Sequence, residues 1–141
     1  MRLMATKIRP VISKSNPSYI SKHRYYELKH FCLQYPEWIK RQLYLRNECK
    51  SSSIIQIIPG DKNYADHISN IVDELNTISK NIDLIKTCCD RTDPQVSSYI
   101  FEAVTTGKTY SYFYSVKSIP CSRSHFYKQY RLFFQFLNIE K

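Results

Sequence analysis

The stretch "DHISNIVDELNTISKNIDLIK", Asp66 to Lys86, places Ile68, Ile71, Leu75, Ile78, Ile82 and Ile85 at alternating steps of three and four. That spacing puts one apolar stripe on an α-helix, with Val72 widening it and polar residues filling almost every other position. The stripe matches the a/d seam of paired helices over about two and a half heptads, short of what a free-standing coiled coil needs. The seam therefore reads in two ways: as the face that packs on the preceding helices, or as the dimer seam of a homodimer.

Residues 46–62, "RNECKSSSIIQIIPGDK", read as a linker by their serine run and Pro59-Gly60 turn signal. Within them "SIIQII" suits a short strand or a cover over a core edge. Further back, Ser21 is the expected N-cap of a helix carrying Tyr25, Leu28, Phe31, Cys32 and Tyr35 on one face. Pro36 then breaks that helix or opens the first turn of a second, "EWIKRQLYL". Residues 1–20, with Pro10, Pro17 and scattered Lys and Arg, read as a basic flexible arm.

On the C-terminal side, Asp93 and Pro94 form a helix start signal before a face of Val96, Tyr99, Ile100, Ala103 and Val104, and Gly107 is placed to end that helix. A short segment from Lys108 to Ser118 follows, with Tyr110, Phe113 and Tyr114 expected to face inward and Ile119-Pro120 to stop it. Ser122 caps the last helix. At 100° per residue, Phe126, Tyr130, Phe133, Phe134 and Leu137 fall within an arc of about 100°. Ser124, His125, Lys128, Arg131 and Gln135 lie opposite, interrupted only by Leu132. The fold class expected is all-α: N-terminal helices over 21–45, a linker over 46–62, a central seam helix over 63–92, and a C-terminal helix-turn-helix over 93–141.

Charge is unevenly spread along the 141 residues. Residues 1–50 hold eleven Lys/Arg against three Glu; residues 51–93 hold four basic and seven acidic; residues 94–141 hold six basic and two acidic. Basic ends around an acidic middle suit a chain whose ends face a polyanion. Five cysteines, none in a C-x-x-C pair, make a poor disulfide framework and a poor zinc site. They read as reduced thiols, with no metal and no cofactor expected. The N-terminus offers no continuous apolar signal region, and "IIQII" is far too short to cross a bilayer. A cytoplasmic protein of a bacterial host, with no membrane partner, is the expectation.

In a helix-turn-helix the second helix enters the DNA major groove with its N-terminal residues at the base edges. Arg123, Ser124, His125 and Lys128 are the expected base-contacting residues, because Arg can take a guanine bidentately and Ser and His can donate to base acceptors. Lys108, Lys117, Tyr127 and Arg131 are the expected phosphate-contacting residues. Enzyme readings are weak: two glycines, Gly60 and Gly107, permit no phosphate-cradling Gly-rich loop, and no carboxylate or Cys sits with His23 and His30 at ligand spacing. Catalysis is not expected. Stacking of single-stranded bases on the twelve tyrosines is a further nucleic-acid reading, but most of them fall at core spacing.

"RYYELKHFCLQYPEW" (Arg24–Trp38), with "DPQVSSYIFEAVTTGKTY" and "IPCSRSHFYKQYRLFFQFL" in the C-terminal half, resembles small proteins of phages and prophages of low-GC bacteria, the RinA-like and ArpU-like late transcriptional regulators. The resemblance covers roughly residues 22–45 and 93–138, and its C-terminal part is similar to the region-four helix-turn-helix of sigma factors. It implies an activator of late genes that binds double-stranded DNA near a promoter and contacts RNA polymerase. A reading from another class stays open beside it: a phage helical protein-binding module that docks on a host protein and inhibits or redirects it.

Overall fold

A computed structural model describes residues 19–54 and 62–141, and every described element is helical. Six helices run in order: α1 (Lys22–Leu33), α2 (Tyr35–Ile54), α3 (Lys62–Asp90), α4 (Ser97–Thr106), α5 (Tyr110–Val116) and α6 (Arg123–Glu140). The all-α expectation holds. The described residues divide into two compact units, one of residues 19–34 and 84–141, the other of residues 35–54 and 62–83. Most of the expected basic arm lies outside the described residues. So do residues 55–61, which include most of the "SIIQII" segment.

In the first unit, α1, α4 and α6 pack on one another. Ser21 caps α1, its Oγ accepting from Arg24 N–H at 3.2 Å. Tyr25, Leu28 and Cys32 of α1 are buried, as their spacing predicts, while Phe31 is half-buried. Tyr25 stands edge-on to Phe134 at 5.1 Å, and its hydroxyl shares a 2.9 Å hydrogen bond with that of Tyr130. Farther along α6, Arg24 Nε donates to Asn138 Oδ1 at 2.7 Å. Phe113, Phe126, Phe133, Phe134 and Leu137 are fully enclosed. Each such side chain contributes about 1.5–3 kcal/mol over its exposed state, so α6 carries much of this unit's core.

Cys32, Cys88 and Cys89 are also buried here, and all five cysteines are free thiols. Burial, reinforced by the neighbouring thiols, pushes Cys32 and Cys89 well above the usual thiol range. Burial chiefly, with Glu140 adding to it, raises Cys88 to about 11. All three are protonated at neutral pH.

Two features of this unit differ from the sequence reading. The Asp93-Pro94 signal does not cap α4 directly. Asp93 Oδ1 accepts from Gln95 N–H at 3.0 Å and Val96 N–H closes a turn onto the Asp93 carbonyl, so α4 begins three residues later than expected. The physical reason is local: an Asp side chain can satisfy the N–H two residues on, building a turn of its own ahead of the helix. Tyr114 is the second correction, being 66% exposed rather than inward-facing. Its ring stacks on Tyr110 at 6.0 Å and covers it from outside, because the seven-residue α5 already fills the interior with Phe113. Gly107 behaves as read: it ends α4 in the left-handed region at φ 80°, its N–H donating to the Ala103 carbonyl.

The second unit is an antiparallel helical hairpin of α2 and residues 62–83 of α3. Gln42 Nε2 donates to Ser79 Oγ at 3.3 Å, and Arg41 grips Glu74 with Nε–Oε2 at 2.6 Å and a second bond at 3.0 Å. Pro36 sits in the first turn of α2, where its missing N–H has no helical acceptor to lose. α2 then runs to Ile54, so residues 46–54, read as linker, are helical. Serine runs lower helix preference only by tenths of a kcal/mol per residue, too little to stop a helix already propagating. Trp38, Leu45, Ile71, Ile78 and Ile82 are buried.

Candidate nucleic-acid interface

The turn between α5 and α6 occupies six residues, 117–122. Lys117 and Ile119 N–H groups both return to the Phe113 carbonyl, at 3.1 Å each, which requires Ser118 to take a left-handed conformation at φ 50°. Ile119 is buried and Tyr110 Oη donates to the Cys121 carbonyl at 2.6 Å, so the turn is held to α5 at both ends. Ser122 then caps α6 as its sequence position predicts, its Oγ accepting from His125 N–H at 3.2 Å.

Of the four expected base-contacting residues, Arg123, Ser124 and Lys128 are exposed and lie on the first two turns of α6. Arg123 is already positioned: its guanidinium donates to Ser111 Oγ at 3.2 Å and lies over the rings of Tyr110 and Tyr127, 5.3 and 5.9 Å from their centres. Such a guanidinium keeps its charge outward while its plane rests on aromatic surface. His125 is different. It is half-buried and its Nε2 lies 2.7 Å from Asp93 Oδ2, a partner the sequence reading did not assign. Gln95 N–H, with His125 second, holds the Asp93 carboxyl below the usual carboxylate range. Gln129, buried on the next turn, accepts from Asp93 N–H at 2.9 Å. His125 and Gln129 thus fasten α6 to the chain leading into α4.

The expected phosphate contacts are spread over α6 and the two ends of α5. Lys117 is exposed at the end of α5; Lys108 is exposed with its Nζ 4.5 Å from the centre of the Tyr112 ring; Tyr127 is half-buried, its hydroxyl accepting from Tyr110 N–H at 3.3 Å; Arg131 is half-buried. From Ala103 to Ile139 the chain has five basic residues, Lys108, Lys117, Arg123, Lys128 and Arg131, and no acidic one. Beyond Arg131, α6 is largely enclosed, with Arg91 lying over the Phe136 ring at 4.1 Å and paired with Glu140 at 3.5 Å. Residues 132–138 are buried or half-buried, so the exposed positions of α6 lie on its first two turns and at Ile139 and Glu140.

The six seam residues do not form one open stripe. Ile71, Ile78 and Ile82 are buried in the second unit and Ile85 in the first, while Ile68 and Leu75 are half-buried. The single chain already encloses most of the seam.

Lys29, on α1, is the basic residue the sequence reading passed over. It lines the same recess as Lys108, Tyr127 and Tyr130. No local pattern could have joined it to residues so distant in the chain; only the packing of α1 on α6 does. Among the described residues no group of three or more His, Cys, Asp or Glu side chains is placed to hold a metal ion, and no helix is long and apolar enough to cross a membrane. Compared with known proteins, the chain matches no family model, no curated protein and no solved structure.

Proposed function

We propose that this protein is a sequence-specific double-stranded DNA-binding transcriptional regulator whose contact with DNA is made by the start of α6. The observation that carries the reading is the acid-free run from Ala103 to Ile139, whose exposed cations Lys108, Lys117, Arg123 and Lys128 gather on α5, α6 and the turns beside them. Three features support it. Arg123, Ser124 and Lys128 stand on the first two turns of α6, the part of a recognition helix that meets base edges. The Ser122-capped helix start adds backbone N–H groups suited to a phosphate. Asp93, bonded to both His125 and Gln129, ties α6 to the chain leading into α4. Activation of phage late genes, with RNA polymerase as a further partner, extends the proposal along the resemblance of the sequence.

The test is selection of bound sequences from random duplex DNA, repeated at two salt concentrations. Enrichment of one motif, lost in the Arg123→Ala protein, supports a sequence reader; salt-sensitive binding with no enriched motif overturns it and leaves a basic surface. A second reading, docking on a host protein, draws on Ile39, Leu43 and Tyr44 of α2, which are 42%, 63% and 53% exposed. Under that reading, Arg123→Glu combined with Lys128→Glu leaves activity intact.

A further inference from the structure

Between α1, the α4–α5 turn and α6 lies a recess whose lining includes Lys29, Gly107, Lys108, Thr109, Tyr127 and Tyr130. We propose that this recess binds a phosphoryl anion, with Lys29 and Lys108 supplying the charge and Tyr127 a hydroxyl donor. The inference deepens the DNA-binding reading and rests on it only where the anion is a backbone phosphate.

Three observations on different elements converge. Two lysines far apart in sequence, Lys29 on α1 and Lys108 in the α4–α5 turn, line one small opening, and no carboxylate lines it with them. Like charges converge at a cost, and a bound anion removes that cost. Each ammonium lies over a ring outside that lining, Lys29 Nζ 5.9 Å from the centre of Tyr26 and Lys108 Nζ 4.5 Å from that of Tyr112. Cation–π contacts at an accessible site are weak beside a charge-assisted bond to phosphate, so a rotation of the lysine stem is enough to transfer either head group. The tyrosines complete the donor set. Tyr127 Oη accepts from Tyr110 N–H, which orients the hydroxyl and leaves its own proton to donate. Deeper in, burial keeps Tyr130 protonated, and its hydroxyl bonds that of Tyr25 at 2.9 Å. The recess therefore offers cations and neutral donors to an incoming anion.

The experiment titrates the full chain with inorganic phosphate by calorimetry in chloride-matched buffer, beside the double variant Lys29→Ala/Lys108→Ala and the control Lys86→Ala. Circular dichroism checks that each is folded. Saturable phosphate binding, weakened by about tenfold in the double variant and unchanged in the control, is the expected result. Phosphate binding that never saturates, or that the double variant retains in full, overturns the inference. A second arm measures duplex DNA affinity against salt for the same proteins. If the double variant loses about one unit of log–log salt slope, the bound anion is a DNA phosphate. If phosphate binding is lost while the slope is unchanged, the recess serves a free anion. If the unaltered protein binds phosphate but no DNA, the recess stands and the DNA-binding reading falls.

Discussion

His125 on the first turn of α6 and Asp93 ahead of α4 meet with Nε2 and Oδ2 2.7 Å apart, so the candidate DNA-facing end of α6 is fixed by a contact to residues that precede α4. Asp93 is held below its usual pKa, first by Gln95 N–H and then by His125. A carboxyl lowered in the folded state adds stability that is complete above its unfolded value of about 4 and is lost as pH falls through the folded value. Asp93→Asn should therefore lower Tm at pH 7, and the difference from the unaltered protein should shrink as pH falls below about 4. Thermal unfolding at a series of pH values checks this; a Tm difference that persists unchanged to pH 2 would refute it.

Gln129 tests the other half of the same junction. Its side chain is buried and accepts from Asp93 N–H at 2.9 Å. Gln129→Ala leaves a backbone donor without that acceptor and should cost about 1–3 kcal/mol, read by urea denaturation.

Two left-handed residues should respond in opposite senses. Gly107 sits at φ 80°, where an added Cβ would find ordinary space beside Leu33, 3.7 Å away, so the cost of Gly107→Ala is backbone strain of about 1–2 kcal/mol. Ser118 takes φ 50° without being glycine. Ser118→Gly removes that strain, partly offset by a more flexible unfolded chain, and should raise stability by up to about 1 kcal/mol. Paired denaturation curves decide both.

The proposed interface separates two kinds of loss. Arg123→Ala should cost about 1–3 kcal/mol on the preferred sequence and relax its specificity. Lys117→Ala should weaken all sequences alike and reduce the log–log salt slope by about one. Filter binding of a selected site and a scrambled site, each at several salt concentrations, distinguishes them.

Much of the fold was legible because its signals are local. Ser21 and Ser122 cap as their positions suggest, Gly107 turns where only glycine is easy, and the aromatic arc of α6 falls inward. The exceptions are set by tertiary context. Residues 46–54 stay helical because propagation outweighs their weak preference. Tyr114 lies outside because Tyr110 and Phe113 already take the inward side of the short α5. At the candidate site, the accessibility of Ser124 and Lys128 follows from the helical period, whereas Arg123 falls on the apolar side and is exposed because it stands at the helix start. The Asp93–His125–Gln129 junction and the approach of Lys29 to Lys108 do not, since each joins segments whose separation in sequence carries no periodic signal.

The distribution of thiols gives the molecule a built-in pair of chemical handles. Cys32, Cys88 and Cys89 are buried and held protonated, and so react slowly with electrophiles while the fold is intact. Cys49, in the hairpin unit, and Cys121, just ahead of the α6 cap, are half-exposed. A maleimide dye should therefore mark one position in each unit without any engineered cysteine, while the three slow thiols become a clock for global opening.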